Sequence, residues 1–334
     1  LRAQVQTLEA RLRAMESRRE QVPTAVANAR AAIAYIYGAY TFVDADGRPL
    51  RHVLNDIGEP IADPNGVPLV DLEATGPIAV INYSGTAFLV GRQGELLTNR
   101  HIAEPWSQDE SSAPLLAAGL RPVFLRLRAF FQEKAEGVSI EVIRVDAEKD
   151  LALVRTLGWI PSAEPLPVHP SPQQLGEGQP VILIGYPTGL EAILAKLDTA
   201  ERIALEKAGA YNYATVEHLA RTHQLRPSIT GGFLWEVLPN TLIYDARTAP
   251  GGSGGPLLDR QGRVIGVNEA YLPSFQGGNY AVPIRFGQAL LAGGGIQADV
   301  PTRETPELLT SPAASEQAPI AQGDGDRPRQ GNGK

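Results

Sequence analysis

One serine in this sequence stands among glycines, in Gly251-Gly252-Ser253-Gly254-Gly255-Pro256. Glycines on both sides let a tight turn present the hydroxyl and let backbone N–H groups converge on one point. The pattern predicts a nucleophilic serine whose oxyanion hole is built from the N–H groups of Gly251 and Ser253. A flexible Gly/Ser link has a similar composition, but apolar β-type segments flank this hexapeptide on both sides.

A serine nucleophile needs a base, and chain order restricts which base it is. The hexapeptide also fits the Gly-x-Ser-x-Gly elbow of α/β-hydrolases, whose histidine follows the serine. Here His52, His101, His169, His218 and His223 all precede Ser253, so the elbow is excluded. His101 closes the apolar run Leu96-Leu97-Thr98-Asn99-Arg100-His101, and a strand end is rigid enough to hold a general base. The other four histidines fall among surface turns, in a Pro-rich stretch or on a helical segment, and read as solvated. Asp150 opens the apolar run Leu151-Ala152-Leu153-Val154. At a strand mouth it can accept the Nδ1 proton of an imidazole and leave Nε2 free as base. Asp146 is its nearest rival. The sequence has no Gly-x4-Gly-Lys-Ser/Thr phosphate loop and no His-Glu-x-x-His zinc helix. His218 and His223 are five apart and share a helix face poorly, so neither a metal nor a cofactor is expected.

Several elements must hold these residues. Leu1, Val5, Leu8, Leu12 and Met15 form a short heptad seam, predicting an N-terminal helix over 1–22 that promotes self-association. Residues 23–76 read as a helix or strand followed by turns packed on the domain that comes after. Those turns repeat one motif: Asp46-Gly47-Arg48-Pro49, Ile57-Gly58-Glu59-Pro60 and Asn65-Gly66-Val67-Pro68. From Pro77 short β-strands separated by Gly and Pro dominate, the mark of a sandwich or barrels rather than βαβ units. Residues 157–180 are Pro-rich and read as a connector. Residues 190–226 read as a helical insert, placed to act as a lid beside the cleft. Residues 293–334 have the composition of a disordered tail.

Composition narrows the function classes. Of 334 residues 43% are hydrophobic and 20% charged, enough for a sizeable core. A net charge of −7 argues against a nucleic-acid surface. The absence of cysteine excludes disulfides and thiolate chemistry.

Taken in order, GTAFLV, LLTNRHIA, KDLALVR and DARTAPGGSGGPLLDRQGRVIGV resemble the trypsin-like serine proteases of the HtrA/Deg type. The resemblance covers roughly Pro77 to Leu291. It implies a mainly β fold of two barrels, the first over about 77–157 and the second to 292, with His101 and Asp150 on the first and Ser253 on the second. It also implies a polypeptide substrate, bordered by Arg247, Asn268, Glu269, Ala270 and Tyr280. An inward Arg247 would favour acidic side chains; an outward one, small aliphatic ones. The likeness departs from the family at Gly252, where Asn or Asp is usual, in the helical insert, and in the lack of a following PDZ domain. An exported or membrane-tethered bacterial protein is the expected setting, with any tether upstream of Leu1. The rival expectation is a catalytically silent module of the same fold, used for binding or as a scaffold.

Overall fold

The computed structural model describes residues 26–27, 29–64, 66–170, 174–207, 209, 212–271, 278–297, 305 and 308. The predicted N-terminal heptad helix lies outside them.

The chain forms two β-barrels. In the first, the strands β1 (Ile33–Val43), β4 (Ile81–Leu89), β5 (Glu95–Asn99), β6 (Arg121–Phe130), β7 (Val138–Asp146) and β8 (Leu151–Thr156) run in the order β7-β6-β1-β4-β5-β8. Pairing of β7 with β8 closes the ring. The second barrel is closed by β9 (Pro180–Gly185), β10 (Ser228–Val237), β11 (Leu242–Tyr244), β12 (Pro256–Leu258), β13 (Val264–Tyr271) and β14 (Asn279–Pro283). The choice between sandwich and barrels is thus settled by closure of both sheets.

The first barrel begins earlier than Pro77. The segment left open between helix and strand is β1, and all its residues are buried. Its run of Tyr, Ile, Phe and Val favours an extended chain covered on both faces. Between β1 and β4 the chain makes the repeated turns predicted from sequence. Each is closed by an Asp or Asn whose backbone N–H donates to the carbonyl four residues on: Asp44 to Arg48, Asn55 to Glu59, Asp63 to Val67. The same side chain accepts N–H bonds within the turn, an Asx arrangement. They carry the short pair β2 (Arg51–His52) and β3 (Val70–Asp71).

Residues 157–180 connect the barrels and lace onto both. Leu166 N–H donates to Leu89 of β4, while Val264 N–H donates to Pro167 and His169 N–H to Val264, on β13.

The helical insert packs its last helix on the first barrel. Its helices are Gly189–Leu194, Thr199–Lys207 and Tyr213–Arg221. The last is capped by Asn212, whose side chain accepts from Thr215 N–H at 2.9 Å. It buries Tyr213, Val216, Leu219 and Ala220, a one-sided stripe at helical spacing. Tyr213 lies against Tyr37 and Phe130, with ring centroids 5.5 and 6.0 Å apart, beneath the Arg126 guanidinium at 4.1 Å. This helix is held on β1 and β6. Tyr213→Ala is expected to cost roughly 3 kcal/mol of stability, the usual cost of deleting a packed aromatic ring. Urea unfolding monitored by tryptophan fluorescence will measure it.

The expected tail is ordered at its start. Ile296–Gln297 form β15, paired with β7, and Thr305 N–H donates to Phe124 at 2.9 Å. Low aromatic content did not predict this, because backbone pairing to an existing strand needs no large side chains.

Candidate active site

Register puts His101 and Asp150 together. In the antiparallel pair β5/β8, Asn99 lies opposite Leu151, so the residues following β5 meet those preceding β8. Asp150 sits in the left-handed region at φ 49°, which Asp tolerates better than most residues. Its carbonyl, turned back by that conformation, accepts from Arg100 N–H at 3.0 Å and Asn99 Nδ2 at 2.9 Å. Its carboxylate holds His101 twice: Oδ1 accepts the backbone N–H at 3.0 Å and Oδ2 lies 2.6 Å from Nδ1. A carboxylate only accepts, so Nδ1 carries the proton and Nε2 keeps its lone pair. Asp146, the rival carboxylate, instead caps the turn by accepting from Glu148 and Lys149 N–H.

The serine loop joins the two barrels through Thr86 of β4, a residue the sequence analysis did not single out. Thr86 N–H donates to the Ser253 carbonyl at 2.9 Å, and its hydroxyl donates to the Gly251 carbonyl at 2.9 Å. The same hydroxyl accepts from Tyr186 N–H at 3.0 Å. The available signal was a hydroxyl in GTAFLV, two strands ahead of the histidine. Gly254 has φ +84°, and a Cβ there would stand 2.0 Å from the Thr86 carbonyl oxygen. Only glycine allows the loop so close to β4.

The loop also aims its amides. Thr188 N–H donates to the Pro250 carbonyl at 2.5 Å. That anchors the peptide plane between Pro250 and Gly251, and a trans peptide points its N–H opposite to its carbonyl. Gly251, at φ +88°, therefore turns its N–H away from Thr188. Among the described residues neither the Gly251 nor the Ser253 N–H is bonded to a backbone carbonyl. Free amides on this turn are suited to a developing oxyanion. The Ser253 hydroxyl donates to the Glu269 carbonyl at 3.0 Å.

The residues expected to border the substrate divide. Asn268 is buried below the loop; its amide accepts from the Tyr244 hydroxyl at 2.5 Å and donates to Thr248 Oγ1 at 3.3 Å. The Glu269 carbonyl accepts from the Ser253 hydroxyl. Ala270 and Tyr280 are paired across β13 and β14. Arg247 is exposed, and its carbonyl accepts from the Thr230 hydroxyl at 2.7 Å. Its guanidinium is not the base of a buried pocket, because an unpaired internal charge is costly. Burial raises the Glu269 pKa, the negative charge of Asp150 raises it further, and His101 opposes both.

The family model described as trypsin-like peptidase domain matches residues 85–267. "Protease Do-like 1, chloroplastic" of Arabidopsis thaliana is 30% identical over 204 residues, covering 60% of this chain and 37% of that protein. "Probable periplasmic serine endoprotease DegP-like" of Hahella chejuensis is 28% identical over 207 residues, covering 60% of this chain and 33% of its own. The chain thus spans less than two fifths of the length of these two relatives. A solved structure of the HtrA-type protease AlgW with decapeptide aligns with 80% of this chain and 66% of its own, at 18% identity and a TM-score of 0.47. Since the family model takes in more than half of the sequence, from β4 into β13, the chain belongs to the trypsin-like peptidase domain family.

Proposed function

We propose that the protein is a serine endopeptidase in which Ser253 is the nucleophile, His101 the general base and Asp150 its orienting carboxylate. Ser253 Oγ adds to the peptide carbonyl carbon as His101 Nε2 takes its proton. Gly251 and Ser253 N–H groups receive the charge that develops on the carbonyl oxygen. The C–N bond then breaks, the imidazolium returns the proton to the leaving amine, and water hydrolyses the acyl-enzyme by the same steps. The carrying observation is the double hold of Asp150 on His101, which fixes the tautomer this sequence of steps needs.

The substrate is a polypeptide, laid along β13. Asn268 N–H and carbonyl bond to Gly255 and Gly254, after which β13 runs on through Ala270 and Tyr271 with β14 on one side. An extended peptide can add to the other side by backbone hydrogen bonds. Its residue before the scissile bond would meet Asn268, whose amide is already committed to Tyr244 and Thr248. A small uncharged side chain fits that environment best. The naming of one relative as periplasmic favours an extracytoplasmic setting.

The silent binding module is favoured by one observation, the hydroxyl of Ser253 lying on Glu269 rather than on His101. A fluorophosphonate probe separates the readings. A peptidase is labelled at Ser253, faster at pH 8 than at pH 5.5, because an ordinary imidazole is largely protonated at the lower pH. A peptide library should then show cleavage after small uncharged residues. No labelling at either pH would sink the peptidase reading, and strong cleavage after Asp or Glu would sink the pocket assignment.

A further inference from the structure

Glu269 brings to this cleft a carboxyl group that the hydrolytic steps leave unused. It is the extra residue of a bulge in β13, between Asn268, paired with Ala281, and Ala270, paired with Tyr280. Bulges re-aim a side chain and release a backbone group from the ladder. Here the released carbonyl receives the Ser253 hydroxyl at 3.0 Å, which fixes the residue at the nucleophile. β13 packs against β5, the strand that ends just before His101, and Val267 joins the apolar core shared with the first barrel. The residue is half-buried.

We infer that the Glu269 carboxylate is a positioning residue for His101, a second negative charge beside the His101–Asp150 pair that stabilises the imidazolium formed when Ser253 loses its proton. The charged groups that act on this carboxyl among the described residues are Asp150, from the turn between β7 and β8, and His101, from the segment after β5. The cations beside His101 and Asp150 in sequence are engaged elsewhere. Arg100 is paired with Glu104 at 2.7 Å, and Lys149 with Glu148 at 2.6 Å.

Such a charge has a cost that can be read separately. Burial and Asp150 raise the pKa of Glu269 in the folded state. A carboxyl raised in this way contributes its full stability at acid pH and loses it as pH rises through the raised value. Removing it should then stabilise the fold more at neutral pH than at pH 4.

This inference rests on the proposed peptidase chemistry for its purpose, but its decisive measurement does not need hydrolysis. Histidine side-chain NMR on the full chain and on Glu269→Gln follows the titration of His101 directly. The His101 midpoint is expected to fall by about 0.5 to 1 unit in Glu269→Gln, the size of a near but partly screened charge. Glu269→Asp keeps the charge and should stay closer to wild type than Glu269→Gln does. In activity assays the acid limb of kcat/KM should move down by the same amount, and kcat on the plateau should fall roughly three- to tenfold. An unmoved midpoint in folded Glu269→Gln overturns the inference. So does a stability change equal at pH 4 and pH 7, which would mean the group is never charged. If Glu269→Gln does not fold, Glu269→Asp titrating far from wild type would also overturn it. A wild-type chain that titrates as described yet hydrolyses nothing would instead overturn the peptidase reading alone.

Discussion

Replacing Ser253 by Ala is expected to lower kcat/KM for a peptide substrate on the order of 10⁶-fold, the scale seen when a nucleophile acting in a triad is removed. The size follows from what is lost and what is kept. Gly251 and the backbone of residue 253 retain their amides, so binding and oxyanion stabilisation survive. Only the covalent route disappears, and water must attack instead. The loop itself should hold. Its anchors are backbone groups: the 253 carbonyl bonded to Thr86 N–H, Gly254 N–H to Asn268, and Pro250 to Thr188. The one bond removed is that of the hydroxyl to the Glu269 carbonyl, worth about 1 kcal/mol. Steady-state kinetics and a thermal melt on the same sample will therefore give a large loss beside a small shift. Activity retained within tenfold of wild type would show that Ser253 is not the nucleophile.

The contact of His101 with Asp150 and the turn around Ser253 were more legible in the sequence than the architecture that holds them. The turn could be read because glycines flank Ser253 on both sides. His101 and Asp150 could be read because each stands at the end of an apolar run, where register brings strand ends together. β1 could not be read with the same ease. Ile33-Ala34-Tyr35-Ile36-Tyr37 is apolar without a period, since both faces are covered, and period is what separates strand from helix. The packing of the insert was hidden for a related reason. Tyr213, Val216 and Leu219 do mark an amphipathic helix, but nothing local says that its partners are β1 and β6.

Two functional details were invisible because they depend on contacts distant in sequence. The hydroxyl of Thr86 reaches Gly251 across 165 residues. The Glu269 carboxyl acquires meaning only beside Asp150 and His101. In both cases the residue type alone is ordinary for a β-strand surface. Arg247 shows the converse: it stands six residues before Ser253, as the sequence reads, but its side chain is exposed, as a charge that can reach water is.

Asp150→Asn isolates the orienting role, and it is expected to lower kcat on the order of 10⁴-fold with KM little changed, the scale of the same exchange in a Ser-His-Asp triad. Asn has the shape of Asp and also tolerates the left-handed backbone at φ 49°. The Asp150 carbonyl keeps its bonds to Arg100 and Asn99, so the junction of β5 and β8 stands. The amide, however, has one acceptor where the carboxylate had two. Its oxygen can serve the His101 backbone N–H at the Oδ1 position, which leaves an NH₂ group facing Nδ1. Nδ1 must then accept, the proton moves to Nε2, and the imidazole no longer has a lone pair to offer Ser253. The negative charge that stabilises the imidazolium is lost in the same step. Asp150→Ala should lose as much activity and also stability, because Ala at φ 49° is strained and leaves the buried N–H of His101 without its acceptor. Comparing the two variants by kcat, KM and urea unfolding separates the tautomer from the fold. An Asp150→Asn enzyme within tenfold of wild-type kcat at pH 7.5 would mean that the orientation of His101 is set by something other than this carboxylate.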